Sequence, residues 1–153
     1  VPNTEEVFDS MRSLGQAYRT KIIGDSAVPI PNYLGKVNML ERADFIKSAK
    51  VLVDFGSYDY LDAAYLKTAP LLKGPSPPPL GKVQTFSDIA TLMARVDSLL
   101  SDSVNLKGYV EDIHKEVTCN HTYYHRCAQI FSSLGMAEIA NTLLMFLNEE
   151  LLQ

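Results

Sequence analysis

Segment 50–73, KVLVDFGSYDYLDAAYLKTAPLLK, constrains the fold most, because its two apolar halves meet at a Gly-Ser pair. The apolar residues of each half recur at about the 3.6-residue spacing of an amphipathic helix. Glycine is favoured just after a helix and serine just before one, so Gly56 is predicted to end one helix and Ser57 to cap the next. The aromatic residues at the joint and just after it are Phe55, Tyr58, Tyr60 and Tyr65. The segment therefore predicts a helical hairpin built for packing.

Helical spacing of apolar residues continues along most of the chain. It predicts helices over residues 4–18, 36–54, 58–72, 86–100, 109–134 and 139–151, and Gly135 is expected to end or kink one of them. No convincing alternation of apolar and polar residues marks a strand. The predicted fold is therefore all-α, an antiparallel up-down four-helix bundle with an irregular, partly helical N-terminal region.

The chain is predicted to form a single helical domain, 1–153, since 153 residues suit one hydrophobic core. Residues 1–35 would hold an N-terminal helix and a Pro/Gly loop, and residues 36–153 the bundle. Residues 73–81, KGPSPPPLG, would form a proline-rich strap, because consecutive prolines favour an extended form. The start at Val1, without an initiator Met, indicates a processed protein or an excised domain.

The charge pattern narrows the classes of partner. The net charge of −4 argues against non-specific nucleic-acid binding, which needs a basic surface. No lysine or arginine follows Arg126, so the remaining 27 residues carry only acidic charge. No apolar run approaches the roughly 18 residues of a membrane span, so the chain is expected at most to be peripheral to a membrane. Proteins are therefore the expected partners.

One group of residues has the spacing of metal ligands. Glu111 and His114 form a Glu-x-x-His pair, and His121 and His125 would lie on one helical face if the helix were unbroken. A di-iron bundle needs a second Glu-x-x-His pair, and the chain has none. The four residues are therefore expected to form a solvated stripe that binds zinc only adventitiously, with no native metal site.

No other pattern indicates catalysis or a cofactor. Asp54, Asp59 and Asp62 could pair for acid–base work, but their positions favour acids of a turn and a helix start. The chain has no Ser-His-Asp order, phosphate-binding loop or Cys-x-x-Cys pair. We therefore expect a protein that is not an enzyme and has no cofactor.

The cysteines and a glycosylation triplet leave the cellular compartment open. Cys119 and Cys127 would lie about 12 Å apart along one helix, too far for a disulfide, and are expected to be free, buried thiols unless the chain turns between them. Asn120, His121 and Thr122 form an Asn-x-Thr sequon, which matters only in a secreted chain.

Segment 50–73 resembles the PsbQ-like extrinsic subunits of photosystem II, in which an apolar-Asp helix end is followed by an aromatic turn and a second helix rich in Leu and basic residues. The matching residues are Leu52, Val53 and Asp54, then Tyr58, Asp59, Tyr60 and Leu61, then Ala63, Leu66, Lys67, Ala69, Leu72 and Lys73. Tyr58 stands in place of the family's tryptophan, and the chain has no Trp. The second helix is also less basic, and the strap replaces a shorter connection.

The resemblance implies a non-catalytic subunit in the chloroplast thylakoid lumen. It would bind the photosystem II core and other extrinsic subunits, and would help the oxygen-evolving complex to retain calcium and chloride. The expected docking residues are basic ones near the N-terminus and the strap. They are Arg12, Arg19, Lys21, Lys67, Lys73 and Lys82.

Two other functions fit the same patterns. Ala49 precedes Gly56, and Ala128 precedes Gly135, by seven residues each, a spacing typical of tetratricopeptide-like hairpins. The chain could then be a helical adaptor that binds other proteins in the cytoplasm. The sequon at Asn120 would instead suit a secreted helical glycoprotein.

Overall fold

The structure is a computed structural model that describes residues 4–24, 30–57, 59–74 and 81–151. Most of the predicted strap and the predicted turn residue Tyr58 lie outside these ranges. The chain divides into two compact units, Val1–His114 and Lys115–Gln153, where a single domain was predicted.

The first unit contains both helices and strands. In chain order they are α1 Thr4–Ala17, α2 Met39–Ser48, β1 Val51–Asp54, α3 Asp59–Tyr65, β2 Ala69–Lys73, β3 Gln84–Phe86, α4 Ile89–Ser101 and the start of α5 Ser103–Asn120. The strands form a parallel sheet in the order β1-β2-β3. Val51 pairs with Ala69, and Leu71 pairs with Gln84. Segment 50–73 is therefore a β-α-β unit.

The prediction of an all-α antiparallel bundle is wrong. The predicted helix 36–54 contains both α2 and β1, and the predicted helix 58–72 contains both α3 and most of β2. Strands of a parallel sheet that are covered on both faces read as short apolar runs without alternation. VLVD and APLLK are such runs, and periodicity cannot distinguish them from pieces of buried helix.

Helix α2 stops before β1 for a reason that lies elsewhere in the chain. Its start is fixed by a capping box, in which the side chains of Asn38 and Glu41 each accept from the other's backbone N–H. At its end Ala49 is extended. The buried Thr68 hydroxyl, just ahead of β2, donates to the carbonyl of Ile46 at 2.7 Å. This carbonyl also accepts from the N–H of Ala49 at 3.1 Å, so the Thr68 hydroxyl is its second donor and ties the end of α2 to the start of β2.

The buried carboxylate of Asp54 organises the turn between β1 and α3. Its Oδ1 accepts from the backbone N–H groups of Gly56 and Ser57, both at 2.7 Å, and from the Ser57 hydroxyl at 2.9 Å. Its Oδ2 accepts from the N–H of Tyr60 at 3.1 Å, in the first turn of α3. Gly56 has φ +115°, which a residue with a Cβ rarely adopts. The prediction that Asp54, Asp59 and Asp62 are turn and helix-start acids is confirmed.

The core of the first unit joins the sheet to α1, α4 and α5. It consists of the buried residues Leu14, Ala69, Leu71, Phe86, Leu92, Val96 and Leu99, with Tyr109 and Val110 packed against them. The Tyr109 hydroxyl donates to the carbonyl of Pro70 in β2 at 2.5 Å and accepts from the N–H of Gln84 in β3 at 2.9 Å. A side chain of α5 thus links two strands, and burial raises the pKa of Tyr109 to about 12.

The second unit contains the end of α5 and two further helices, α6 Tyr123–Ser133 and α7 Ala137–Leu151. Gly135, at φ +78°, lies in the short connection between α6 and α7. Its N–H donates to the carbonyl of Ser132, and the N–H of Met136 donates to the carbonyl of Phe131, at 3.0 and 2.9 Å. This pattern is a Schellman motif with glycine at its left-handed position. The prediction that Gly135 ends a helix is confirmed.

Substitution Tyr109→Phe should destabilise the first unit by about 1–3 kcal/mol, because the Pro70 carbonyl and the Gln84 N–H lose their partner. Since burial raises the pKa of Tyr109 above its ordinary 10.0, the wild-type chain should also lose stability as the pH rises from 10 through about 12. Tyr109→Phe should lack that part of the alkaline loss. Urea unfolding followed by circular dichroism at several pH values measures both effects.

The control is Tyr65→Phe, at a hydroxyl-bearing ring that is 58% exposed. It should leave the free energy of unfolding within about 0.5 kcal/mol of wild type. Equal effects of the two substitutions would contradict the role given to the Tyr109 hydroxyl.

Candidate functional site

The basic residues predicted as a docking surface lie on several different elements. Arg12 of α1 pairs with Asp9 at 2.8 Å, and the Lys21 ammonium lies 4.5 Å from the centre of the Phe45 ring. Arg19 is exposed beyond the end of α1. Local interactions therefore account for Arg12 and Lys21.

The lysines of segment 67–82 also have acidic partners. The Lys73 ammonium is largely buried and lies 2.7 Å from the Glu6 carboxylate, so this ion pair ties β2 to α1. Lys82 lies 3.6 Å from Asp112, on the surface. Lys67 lies 3.5 Å from Glu111, one of the residues with metal-ligand spacing. Lys67 also lines a cavity together with the basic residues Lys50 and Lys107.

The residues with metal-ligand spacing do not form a ligand set. In the first unit, the Nδ1 of His114 lies 3.2 Å from the carbonyl of Ala64, and its ring lies 6.2 Å from that of Tyr65. In the second unit, His121 follows the end of α5, so it does not share a helical face with His125 as predicted. Within the described ranges no group of three or more His, Cys, Asp or Glu residues could hold a metal ion.

The chain turns between α5 and α6, where one helix was expected. Cys119 is exposed, contrary to the prediction of a buried thiol, and Cys127 is half-buried; both are free. Asn120 of the sequon is the exposed last residue of α5. The third residue of the sequon, Thr122, caps α6.

The Thr122 cap depends on a histidine. The N–H of Thr122 donates to Nδ1 of His125 at 3.3 Å, and the Thr122 hydroxyl lies 2.8 Å from the same nitrogen. Nδ1 must therefore accept, which assigns the ring proton to Nε2. His125 occupies the capping-box position that Glu or Gln usually takes. Burial, followed by the proximity of His121, lowers the pKa of His125.

The most distinctive surface of the second unit is apolar. Large side chains of α6 and α7 that are normally buried in a core face solvent here. They are Tyr123 (80% exposed), Ile130 (58%), Leu134 (67%), Ile139 (44%) and Phe146 (58%). We call these five residues the hairpin face.

The residues of the hairpin face lie on one side of the two helices. Ala128 of α6 and Ala140 of α7 are buried. Because their side chains are small, they mark the sides on which the two helices approach each other. Successive residues of an α-helix are rotated by about 100° around its axis. Counted in the chain direction, the side chains of the hairpin face are therefore rotated by about 200–260° from Ala128 in α6 and from Ala140 in α7. Because the short connection makes α6 and α7 antiparallel, equal rotations bring the two stripes to the same side.

The sequence marked these apolar positions but not their exposure. Ile130 of α6, Leu134 directly after it, and Ile139 and Phe146 of α7 were part of the helical pattern expected to pack inside a bundle. Periodicity identifies the apolar side of a helix, but it does not say which element covers that side. In the structure, α6 and α7 bury Ala128, Ala140 and Leu147, while the hairpin face remains open.

Comparison of the chain with protein-family models, with curated proteins and with solved structures finds no match. Across the described residues, no helix is both long and apolar enough to cross a membrane.

Acidification should weaken the start of α6. Because the folded-state pKa of His125 is below its ordinary 6.5, the unfolded chain binds the proton more readily, so stability is present above pH 6.5 and is lost as the pH falls below it. Amide hydrogen exchange of residues 123–126, compared at pH 7.5 and pH 5.5 after correction for the intrinsic exchange rate, should show reduced protection at the lower pH.

Substitution His125→Gln should keep an acceptor at the capping position and remove this pH dependence. Substitution His121→Gln, at a residue outside the capping box, should only reduce it, because burial, the larger cause of the lowered pKa of His125, remains. Unchanged pH dependence in His125→Gln would show that the cap does not respond to the imidazole.

Proposed function

We propose that this chain is a protein-interaction module, and that its α6–α7 hairpin binds an amphipathic helix of another protein. The observation that carries the proposal is the hairpin face, five large apolar or aromatic side chains exposed on one side of two antiparallel helices. Monomeric proteins rarely leave a large contiguous apolar patch in water, and such patches are typical of binding surfaces. A non-catalytic helical adaptor was one of the functions that the sequence suggested.

The shape of the surface favours a helix as the occupant. The face extends over two antiparallel helices, and an amphipathic helix can pack across such a surface with apolar residues spaced three and four apart. Tyr123 and Phe146 offer large, rigid contact areas, which are common among the residues that dominate binding energies. Full burial of one such side chain contributes about 1.5–3 kcal/mol, so a few anchors suffice for specific binding.

The charge of this part of the chain favours a basic partner. No lysine or arginine follows Arg126, whereas Glu138, Glu149 and Glu150 do. An acidic hairpin attracts a helix that carries Lys or Arg beside its apolar stripe, and it repels an acidic one. The same charge opposes pairing with a second copy of this hairpin, because like charges would then meet.

The role at photosystem II in the thylakoid lumen remains a prediction. Its support was the interpretation of segment 50–73 as a helical hairpin, and that segment is a β-α-β unit. The proposal of an interaction module does not depend on the resemblance or on the compartment.

The test uses the full chain and two labelled synthetic peptides, one an amphipathic helix with Leu and Lys and the other its counterpart with Leu and Glu. Fluorescence anisotropy should show that the Lys peptide binds and that the Glu peptide binds at least about tenfold more weakly. Substitution Ile130→Asp should reduce the affinity for the Lys peptide by about tenfold or more, because it places a charge within the hairpin face.

Gln129→Asp is the matched control, since it adds the same charge at the neighbouring exposed position of α6, outside the hairpin face. It should leave the affinity unchanged or slightly higher. Equal binding of both peptides, or equal effects of the two substitutions, would contradict the proposal. A dimer in light scattering that Ile130→Asp dissociates would assign the face to a second copy instead.

A further inference from the structure

A cavity in the first unit is lined by an unusual number of lysines. It has a volume of about 320 Å³ and is bordered by Lys50, Lys67 and Lys107, with the single acidic residue Glu111. Leu106 and Val110 of α5 supply apolar walls. The cavity lies at the amino ends of β1 and β2, so it is separate in the chain from the α6–α7 hairpin.

The charges of this cavity are not balanced within it. Three lysines and one glutamate border it, which leaves a formal excess of two positive charges among its lining residues in a chain whose net charge is −4. The pair formed by Lys67 and Glu111 has a separation of 3.5 Å, and both side chains are about half exposed (51% and 52%). Such an open pair contributes little to folding, so it does not by itself explain the lysines.

The backbone at Lys67 supplies a second, independent observation. The N–H of Lys67 donates to the carbonyl of Ala64, and the N–H of Thr68 donates to the carbonyl of Ala63, which is a Schellman motif at the end of α3. Lys67 has φ +59° and occupies the left-handed position. The matching position after α6 is Gly135, the residue type that adopts this conformation without strain.

A lysine at a position that favours glycine sacrifices stability. Residues with such a strained backbone persist where the surrounding structure fixes them, and they cluster at ligand sites. Lys67 has this left-handed backbone, and it lines the cavity together with Lys50 and Lys107. The start of α5 is already occupied, because Asp102 accepts from the N–H groups of Val104 and Asn105. The lysines, and not that helix end, therefore provide the charge.

We infer that this cavity binds a small phosphate monoester whose phosphate contacts Lys50, Lys67 and Lys107 and whose organic part lies against Leu106 and Val110. A dianionic phosphate matches the excess of two positive charges, and lysine is a common phosphate ligand that acts as a point charge. A volume of this size lies at the lower end of small-molecule sites, so the organic part is small.

The test is isothermal titration of the full chain with phenyl phosphate, with benzoate and inorganic phosphate as comparison ligands. Phenyl phosphate should bind more tightly than either, since it combines the dianion with an apolar group. Its affinity should fall as salt is raised, as screening of charges requires. Equal affinities for benzoate and phenyl phosphate would overturn the assignment to a phosphate.

Substitution Lys67→Gly separates binding from stability. It removes a cavity charge and also relieves the backbone, so the affinity for phenyl phosphate should fall about five- to tenfold while the melting temperature of the free chain rises by about 2–5 °C. A melting temperature that rises with unchanged affinity would mean that Lys67 has no ligand role and would overturn the inference.

Two further variants test how the charges that line the cavity change the affinity for phenyl phosphate. Glu111→Gln should raise the affinity, because it removes the only carboxylate that competes for the lysines. Lys82→Gln is the matched control, since Lys82 pairs with Asp112 and does not line the cavity, and it should leave the affinity unchanged. A loss of affinity in Glu111→Gln, or an equal loss in Lys82→Gln and Lys107→Gln, would contradict the site.

Discussion

The carboxylate of Asp54 is the group on which the first unit most depends. A parallel pair of strands needs a crossover, and here the chain must leave β1, turn and enter α3 within a few residues. Backbone N–H groups in that turn have no helix or strand to satisfy them. Asp54, which is 2% exposed, accepts from Gly56, Ser57 and Tyr60 and so replaces the missing partners. Without that acceptor, these N–H groups at the start of the crossover would lose their partner.

Two other polar side chains also link elements of the first unit. The Thr68 hydroxyl donates to the carbonyl of Ile46 near the end of α2. The Tyr109 hydroxyl bonds to both β2 and β3. Each joins elements that are distant in the sequence, at separations of 22 and 39 residues for the bonds to Ile46 and Pro70. The strands are short, so few backbone hydrogen bonds join them. The hydrogen bonds of these two side chains add further links between the elements of the first unit.

Local signals in the sequence predicted the fold only in part. The helix end at Gly135 was predicted correctly, because glycine at positive φ is a local requirement. Gly56 also marks a break in the chain, but it follows strand β1 and does not end a helix as predicted. The strands were missed because VLVD and APLLK lack the alternation that marks a half-buried strand. Pro70 lies in β2, and its carbonyl accepts from the Tyr109 hydroxyl. No local pattern relates Pro70 to Tyr109.

The candidate sites were predictable to different degrees. The apolar positions of α6 and α7 were visible, but their exposure depends on which elements pack nearby, and periodicity does not report that. Lys67 was selected as a basic residue, yet its positive φ and its position beside Lys50 and Lys107 follow from the β-α-β turn. Both proposed functions thus arise from tertiary placement of residues that look ordinary in the sequence.

Segment 50–73 is a β-α-β unit in this structure, and backbone NMR of the isotopically labelled chain can check each of its elements. Carbon chemical shifts should be extended at residues 51–54 and 69–73 and helical at residues 59–65. Nuclear Overhauser effects should connect the backbones around Val51 and Ala69, which are partners in the parallel register. Helical shifts that continue through residues 39–54 and 59–72, without cross-strand contacts, would contradict the account.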